Sequence, residues 1–370
     1  MTGSSFNSPF YDRLHTPLVR QYNLGIQYEF LPTYVLEAAF VGSSGINIMD
    51  YNHNVNIAGL ASVSNPINGI TTNTSANAVA RVPYLGYLPS GFQQNGFDGI
   101  YNYNSLQTTV SKRFSHGFGF QVAYTWSKNL SNVAFDAANI NKSTDMAQQY
   151  GQTPFSRPHR FVVNYQYELP FKSDNVLNYV IQGWAIGGLT TVQSGNPLTL
   201  FDNRGGSVYG TPGSGTVENG LSRAQLCPGV TYGQIETSGN VKDRLGSASN
   251  PNAPRFFNTS AFCAPPVLGS DGSFDFGNTG IGIVRGPHQL NFDFQAAKTT
   301  RIGERQTIQF RAEFFNIFNH AQFHIPAYTS APSNNFANNG TLFTSGALFG
   351  VINQTSVAPR LIQLALKYSF

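Results

Sequence analysis

The sequence predicts an all-β fold, a run of long antiparallel strands that wind up and down as the wall of a transmembrane barrel. Three observations predict it. Apolar and polar residues alternate with period two over nine stretches of about 9–12 residues, where strands of soluble sheets average about 5–6. The connectors between these stretches are short and long in turn. Charge is also scarce: Asp, Glu, Lys and Arg make up 11% of the chain beside 14% aromatics, against about 25% charged residues in a typical soluble protein.

Composition narrows the setting further. The 370 residues include 30 Phe, 18 Tyr and 37 Gly. Mean hydropathy is nonetheless −0.20, because Asn, Gln, Ser and Thr fill the places that charges usually hold. Such a chain suits a surface that meets lipid on one side and water on the other. The net charge of +4 is scattered, with no Lys/Arg run and no basic helix, so no nucleic-acid partner is expected. No stretch approaches the roughly 18 consecutive apolar residues of a transmembrane helix. The opening residues, MTGSSFNSPFYDRL, lack the basic and apolar regions of a signal peptide.

The elements follow in order. In QYNLGIQYEF, Tyr22, Leu24, Ile26, Tyr28 and Phe30 alternate with polar partners, Glu29 among them. After LPT comes YVLEAAFVG, with Tyr34, Leu36, Ala38 and Phe40 on one face and Glu37 on the other. NSLQTTVSKRF is weaker, with Leu106, Val110 and Phe114 in phase, and GFGFQVAYTWS sets Phe118, Phe120, Val122, Tyr124 and Trp126 against small or polar residues. HRFVVNYQYEL opposes Phe161, Val163, Tyr165, Tyr167 and Leu169 to Arg160, Asn164, Gln166 and Glu168. GWAIGGLTTVQSG is ambiguous, apolar on both faces. QLNFDFQAAK places Leu290, Phe292 and Phe294 opposite Asp293, and QTIQFRAEFFNIFN places Ile308, Phe310, Ala312 and Phe314 opposite Arg311 and Glu313. The chain ends on RLIQLALKYSF, with Ile362, Leu364, Leu366, Tyr368 and Phe370 in phase.

The connectors LPT, SHG and TRIGE are short and PFKSDNVLNYVI is moderate, whereas 43–100, 128–157, 195–287 and 321–358 read as long polar loops. Tight turns on one side and long loops on the other is the asymmetry of outer-membrane barrels. In water, a face such as Phe118 to Trp126 needs a second sheet to cover it; in lipid it needs none, provided that the backbone is fully paired. A soluble sandwich or propeller gives no reason for the alternation of connector lengths. Aromatics near strand ends, namely Tyr22, Phe30, Tyr34, Phe40, Phe114, Trp126, Tyr368 and Phe370, are then expected at the two membrane interfaces.

Here the residues support a family resemblance. The terminal LKYSF resembles the closing strand of Gram-negative outer-membrane proteins, and FRAEFFNIFNHAQF (310–323) resembles the penultimate strand of TonB-dependent receptors, R-x-E-x-x-N-x-x-N. YTWSKNLSN, GWAIGGLTTVQSGNPLT and RFFNTSAFCAPP resemble segments of the Oar-like subgroup, whose members carry a carboxypeptidase-regulatory-like domain. The resemblance implies location in the outer membrane, contact with its lipid, and a C-terminal signal at Tyr368 and Phe370 read by the barrel assembly machinery. It also implies a barrel of 22 strands, a plug domain inside it, and a TonB complex that acts through that plug. No plug or signal peptide is recognisable here, so residues 1–370 are expected to be the C-terminal portion of such a barrel, completed by N-terminal strands. The implied function is TonB-dependent uptake of an unidentified extracellular ligand. The alternative is a structural or adhesive protein that displays its loops without transport.

Candidate sites divide by face. Arg311 and Glu313 point inward by parity, able to touch a plug or a passing substrate, or to join a lumenal ladder with Glu29, Glu37, Arg160, Glu168 and Asp293 that pairs across the wall. Asn316 and Asn319 are expected to cap the strand's outer end. Cys227 and Cys263 share one loop; a disulfide there would close about 37 residues, worth roughly 3–4 kcal/mol in the chain-entropy model, the alternative being two unpaired small residues. His320 and His324 have a helical metal spacing, but they lie in a strand end with no Cys or carboxylate beside them. Asp271, Asp275 and Asn278 sit in a Gly-rich loop without the bidentate Glu of a calcium site, and RGGSVYGTPGSG has no strand–helix context for phosphate. No Ser/His/Asp arrangement has a supporting motif, so neither catalysis nor a cofactor is expected. Ligand capture is expected on the loops, notably YLGYLPSGFQQNGFDGIYNYN and the Cys227–Cys263 segment.

Overall fold

The computed structural model describes residues 4–8, 14–133, 146–172, 178–202, 204–210, 222–250, 252–303, 305–326 and 348–370. Nine long strands make one antiparallel path: β1 (Leu18–Leu31), β2 (Tyr34–Asn54), β3 (Tyr87–Ser115), β4 (Phe118–Ser131), β5 (His159–Glu168), β6 (Trp184–Gln193), β7 (Gln289–Ile302), β8 (Gln306–Phe315) and β9 (Leu361–Ser369). Each strand pairs with its neighbour in sequence, and each coincides with one of the nine alternating stretches. Ser4–Ser8 runs parallel beside β3, and Gly151–Gln152 pairs with the outer end of β4. The sheet is open, with β1 and β9 as its edges.

Register carries one face through all nine strands. Directly paired residues share a face, and the chain of pairs Leu24–Phe40–Leu106–Trp126–His159 is one such row. Another runs Val110–Val122–Val163–Thr190–Phe292, and Ala296–Ala312–Leu364 lies further along the same face. The ambiguous β6 is resolved by its partners: Ile186, Gly188, Thr190 and Val192 join the apolar face, and Leu189 lies on the other. Among the described residues nothing covers the apolar face. Leu24 is 77% exposed and Leu366 74%.

Aromatic contacts gather at two levels of this face. At the outer end Tyr22 stacks on Phe40 (6.0 Å) and Tyr124 on His159 (6.2 Å). Near the short turns, Phe30 meets Tyr34 (5.8 Å), Phe118 meets Tyr167 (5.8 Å) and Tyr368 meets Phe370 (5.9 Å). Tyr22 lies flat over Gly42 to reach Asn104 Oδ1 at 2.9 Å; a Cβ on Gly42 would overlap the ring, so only glycine permits the crossing. The short turns use left-handed residues, Thr33 (φ 74°), His116 (φ 52°) with Gly117 (φ 77°), and Gly303 (φ 64°).

Two expectations are corrected. The segment 43–100 is not all loop, because β2 runs for 21 residues and β3 for 29, and their pairing continues beyond Gly42–Asn104 and Gly45–Tyr101. Where the two faces of a paired strand no longer meet different surroundings, no apolar face is needed, so the period-two signal vanishes while the ladder persists. Phe114 does not join the interfacial aromatics: a bulge between Lys112 and Ser115 turns it toward Gly119, on the polar face. The long polar loops also enclose a core. Leu198, Leu200, Ile235, Phe256, Phe257, Phe262, Val284, Phe349 and Ile352 form a buried cluster within them, in which Phe257, Phe262 and Phe349 meet edge to face. The protein's hydrophobic core therefore sits in a cap at the long-loop end.

Candidate functional site

The polar face of the sheet is the first surface with functional character. Gln121, Asn164, Gln166, Asp293, Gln295 and Glu313 line a hollow of about 570 Å³ along it. The ladder residues all lie on this face by register, but their contacts are local. Glu29 Oε1 pairs with Arg113 at 3.1 Å, and Glu37 accepts from Gln27 Nε2 at 2.9 Å. Arg311 and Glu313 pair along their own strand at 3.7 Å, because their cross-strand neighbours are Ala297, Ala365, Gln295 and Gln363. Arg160 and Glu168 stand at opposite ends of β5, opposite Gln193 and Ala185. The ladder charges therefore take Gln27 and Arg113 as partners from other strands, rather than one another as the sequence suggested. Arg113 lies on the polar face in step with Gln107, Thr109 and Ser111, so the two-residue period alone could have found it.

At the outer end of β8 the two asparagines have a specific geometry. Both adopt left-handed backbone, at φ 51°, a conformation that asparagine tolerates far better than most residues. Asn316 Nδ2 donates to His320 O (3.1 Å) and Ala358 O (3.5 Å), and its Oδ1 accepts from His320 N (2.9 Å). Its backbone N–H donates to Asp293 Oδ1 at 2.9 Å. Asn319 Oδ1 accepts from Arg360 N at 2.9 Å, at the start of β9. Thus Asp293, Asn316 and Asn319 fasten β7, β8 and β9 at one level. His320 lies in this turn, and His324 donates its backbone N–H to Gln354 O at 3.0 Å in a non-helical segment. Among the described residues no three His, Cys, Asp or Glu side chains converge as metal ligands.

The cap is held by arginines that donate to backbone carbonyls. Loop carbonyls have no ladder partner, and one guanidinium satisfies several of them. Arg81, 1% exposed, donates to Gly59 O, to Thr74 O (3.0 Å), to Val208 O (2.5 Å) and to Asn77 Oδ1 (2.8 Å), so it ties residues 57–86 to the 195–287 loop. Arg255 donates to Phe349 O at 2.8 Å, and Arg285 to Gly195 O at 3.1 Å and Gln152 Oε1 at 2.6 Å. Burial pulls the pKa of each of these three arginines down.

Asp271 accepts from Ser273 Oγ (2.6 Å) and N (3.1 Å) and from Ser75 N and Oγ (both 2.8 Å), making a second tie between the same loops. The Ser273 hydroxyl and then the Ser75 groups hold its carboxyl well below the usual carboxylate range. Asp275 accepts from Tyr209 Oη at 2.8 Å; burial first and this bond second push the phenol up. Asn278 accepts from Leu226 N, so Asp271, Asp275 and Asn278 each serve loop packing in separate contacts. Cys263 lies in the pairing of 225–226 with 262–263 and Cys227 directly after it, Cα atoms 4.9 Å apart and sulfurs bonded. The stretch Tyr84–Asn104, expected as a capture loop, is largely the outer half of β3.

Comparison with known proteins gives a match along the length of the chain: the family model described as "Outer membrane beta barrel domain" matches residues 2–363. No curated protein matches the sequence. Among solved structures the chain is similar to the outer membrane transporter YddB from Escherichia coli (9% identity, TM-score 0.44, covering 100% of this chain and 34% of that one). It is also similar to BauA, the ferric preacinetobactin receptor from Acinetobacter baumannii (10% identity, TM-score 0.40, 95% and 29%), and to the ferric citrate transporter FecA in its unliganded form (11%, 0.38, 95% and 31%). The chain spans about a third of the length of these structures.

Proposed function

This chain belongs to the outer membrane beta barrel domain family, and from that premise we infer that it is the C-terminal wall of a TonB-dependent receptor of the Oar-like kind. The observation that carries the reading is the segregation of faces: one uncovered apolar face and one polar face persist in register through nine strands. Hydrocarbon covers the first, and the second lines the path of a ligand.

The edges support the larger barrel. β1 and β9 both run from the cap toward the short turns, so pairing them directly would be parallel. Closing the wall with antiparallel pairs alone therefore takes an odd number of further strands. A wall of 22 needs thirteen, which is odd. Left open in lipid, the 14 residues of β1 would face hydrocarbon with unpaired backbone groups, each costing several kcal/mol. N-terminal strands supply the missing wall, and a plug within it couples to TonB. The C-terminal signal at Tyr368 and Phe370 is read by the barrel assembly machinery. The cap meets the extracellular ligand, with the Cys227–Cys263 bridge clamping its long loop; a non-reduced mass lower by two hydrogens checks that bridge.

The packed cap favours a second reading, an anchor that displays a rigid surface for adhesion without transport. Deleting TonB separates the two: uptake of the cognate ligand stops under the first reading, and surface attachment continues unchanged under the second. Uptake that survives TonB loss would refute energised transport.

A further inference from the structure

We propose that the periplasmic rim carries a binding site for an anionic phospholipid of the inner leaflet, formed where residues 169–172 and 178–184 meet the lower end of β7. The proposal rests on the reading that the wall spans the outer membrane. Every other short turn among the described residues is tight; this connector instead adds a helical turn, Asn178–Ile181. Trp184 Nε1 donates to Val180 O at 2.8 Å, Thr300 Oγ1 donates to Tyr179 O at 3.5 Å, and Lys298 Nζ donates to Gln182 O. Trp184 pairs with Lys298, and Thr300 with Ile308, so all three side chains belong to the apolar face. The helical turn is therefore pinned to the lipid side of the wall, at the level of its lower aromatic belt.

What it presents there is amphipathic. Phe171, Tyr179 and Val180 are largely exposed beside Trp184. A hollow of about 860 Å³ opens next to them at the rim; Lys172 and Lys298 line it beside the helical turn, with His116, while Arg301 and the single carboxylate, Glu168, meet it from the polar face by register. Exposed apolar side chains beside an excess of cations, at the boundary of the hydrocarbon, match a lipid with a phosphate headgroup: acyl chains lie along Tyr179 and Val180, and the phosphate enters the cationic hollow. A free phosphate would have no use for the apolar part. A protein partner would have to displace lipid to reach it.

The test uses the full chain assembled in the outer membrane and extracted in mild detergent. Native mass spectrometry counts the retention of added phosphatidylglycerol and phosphatidylcholine. The site predicts about tenfold tighter retention of phosphatidylglycerol. Lys172→Gln with Lys298→Gln abolishes the preference, while Arg301→Gln on the polar face and Arg305→Gln in the β7–β8 turn leave it intact. Tyr179→Ser with Val180→Ser, which spares every cation, weakens both lipids. Equal retention by the unaltered chain, or a preference untouched by the Lys172/Lys298 pair, would overturn the site while the membrane reading stands. Inorganic phosphate that displaces the lipid at equal concentration would likewise reject a lipid site. A chain that never reaches the membrane fraction would defeat both.

Discussion

Asn316 shows how much one residue carries. Its left-handed backbone and its three side-chain bonds are separate demands, and two substitutions separate them. Asn316→Ala should cost about 2–3 kcal/mol, from strained backbone and orphaned partners together; Asn316→Gly relieves the strain and should recover about 1 kcal/mol. Heat or denaturant unfolding in detergent measures both, and equal losses would show that backbone conformation is irrelevant there. Asp271 makes a different prediction. Its folded-state pKa lies below the unfolded value, so its tie to Ser75 is complete above about pH 4 and is lost as pH falls through the depressed value. Proteolysis of the 57–86 loop should accelerate only below that point, and Asp271→Asn should be open to protease at every pH. The motif that contains Asn316 was legible as a pattern, and so was its place at the strand's outer end. Its reason was not, because a φ of 51° and the approach of Asp293 exist only after β7 and β8 have paired.

At the scale of the element, the two-residue period placed all nine strands, because each meets an apolar medium on one side and a polar one on the other. The period failed where that contrast ends. Beyond Gly42 and Asn104 the apolar–polar contrast between the faces of β2 and β3 ends, and the bulge at Lys112–Ser115 breaks the phase that had put Phe114 outside. The cap was hidden for a related reason: Phe349 lies far along an aperiodic sequence from Phe257 and Phe262, and the three rings meet only in three dimensions. The face assignment itself is open to direct trial in β4. Val122, between Val110 and Val163, lies mid-strand on the apolar face, and Gln121 is its neighbour on the other. Val122→Lys should cost about 2–4 kcal/mol, and Gln121→Lys close to nothing. Folded fraction in lipid vesicles against urea reads the difference, and equal penalties would refute the parity.

The whole molecule is a wall with two dissimilar ends: a cap with its own core above, and tight turns with one amphipathic connector below. Its last residue, Phe370, is 94% exposed and touches only Tyr368 among the described aromatic rings, so packing within the chain does not explain it. We attribute it to recognition during assembly. Phe370→Ala should reduce the amount that reaches the outer membrane without lowering the urea midpoint of the protein that arrives; an undiminished yield would remove that role. The central claim is that hydrocarbon covers the apolar face. Spin labels placed singly at residues 120 to 125, in the chain assembled in membranes, test it most directly through collision with oxygen or with a water-soluble nickel chelate. The account predicts that labels at Phe120, Val122 and Tyr124 favour oxygen, and that those at Gln121, Ala123 and Thr125 favour nickel. Labels at Phe120, Val122 and Tyr124 that nickel reaches as readily as it reaches their neighbours would contradict it.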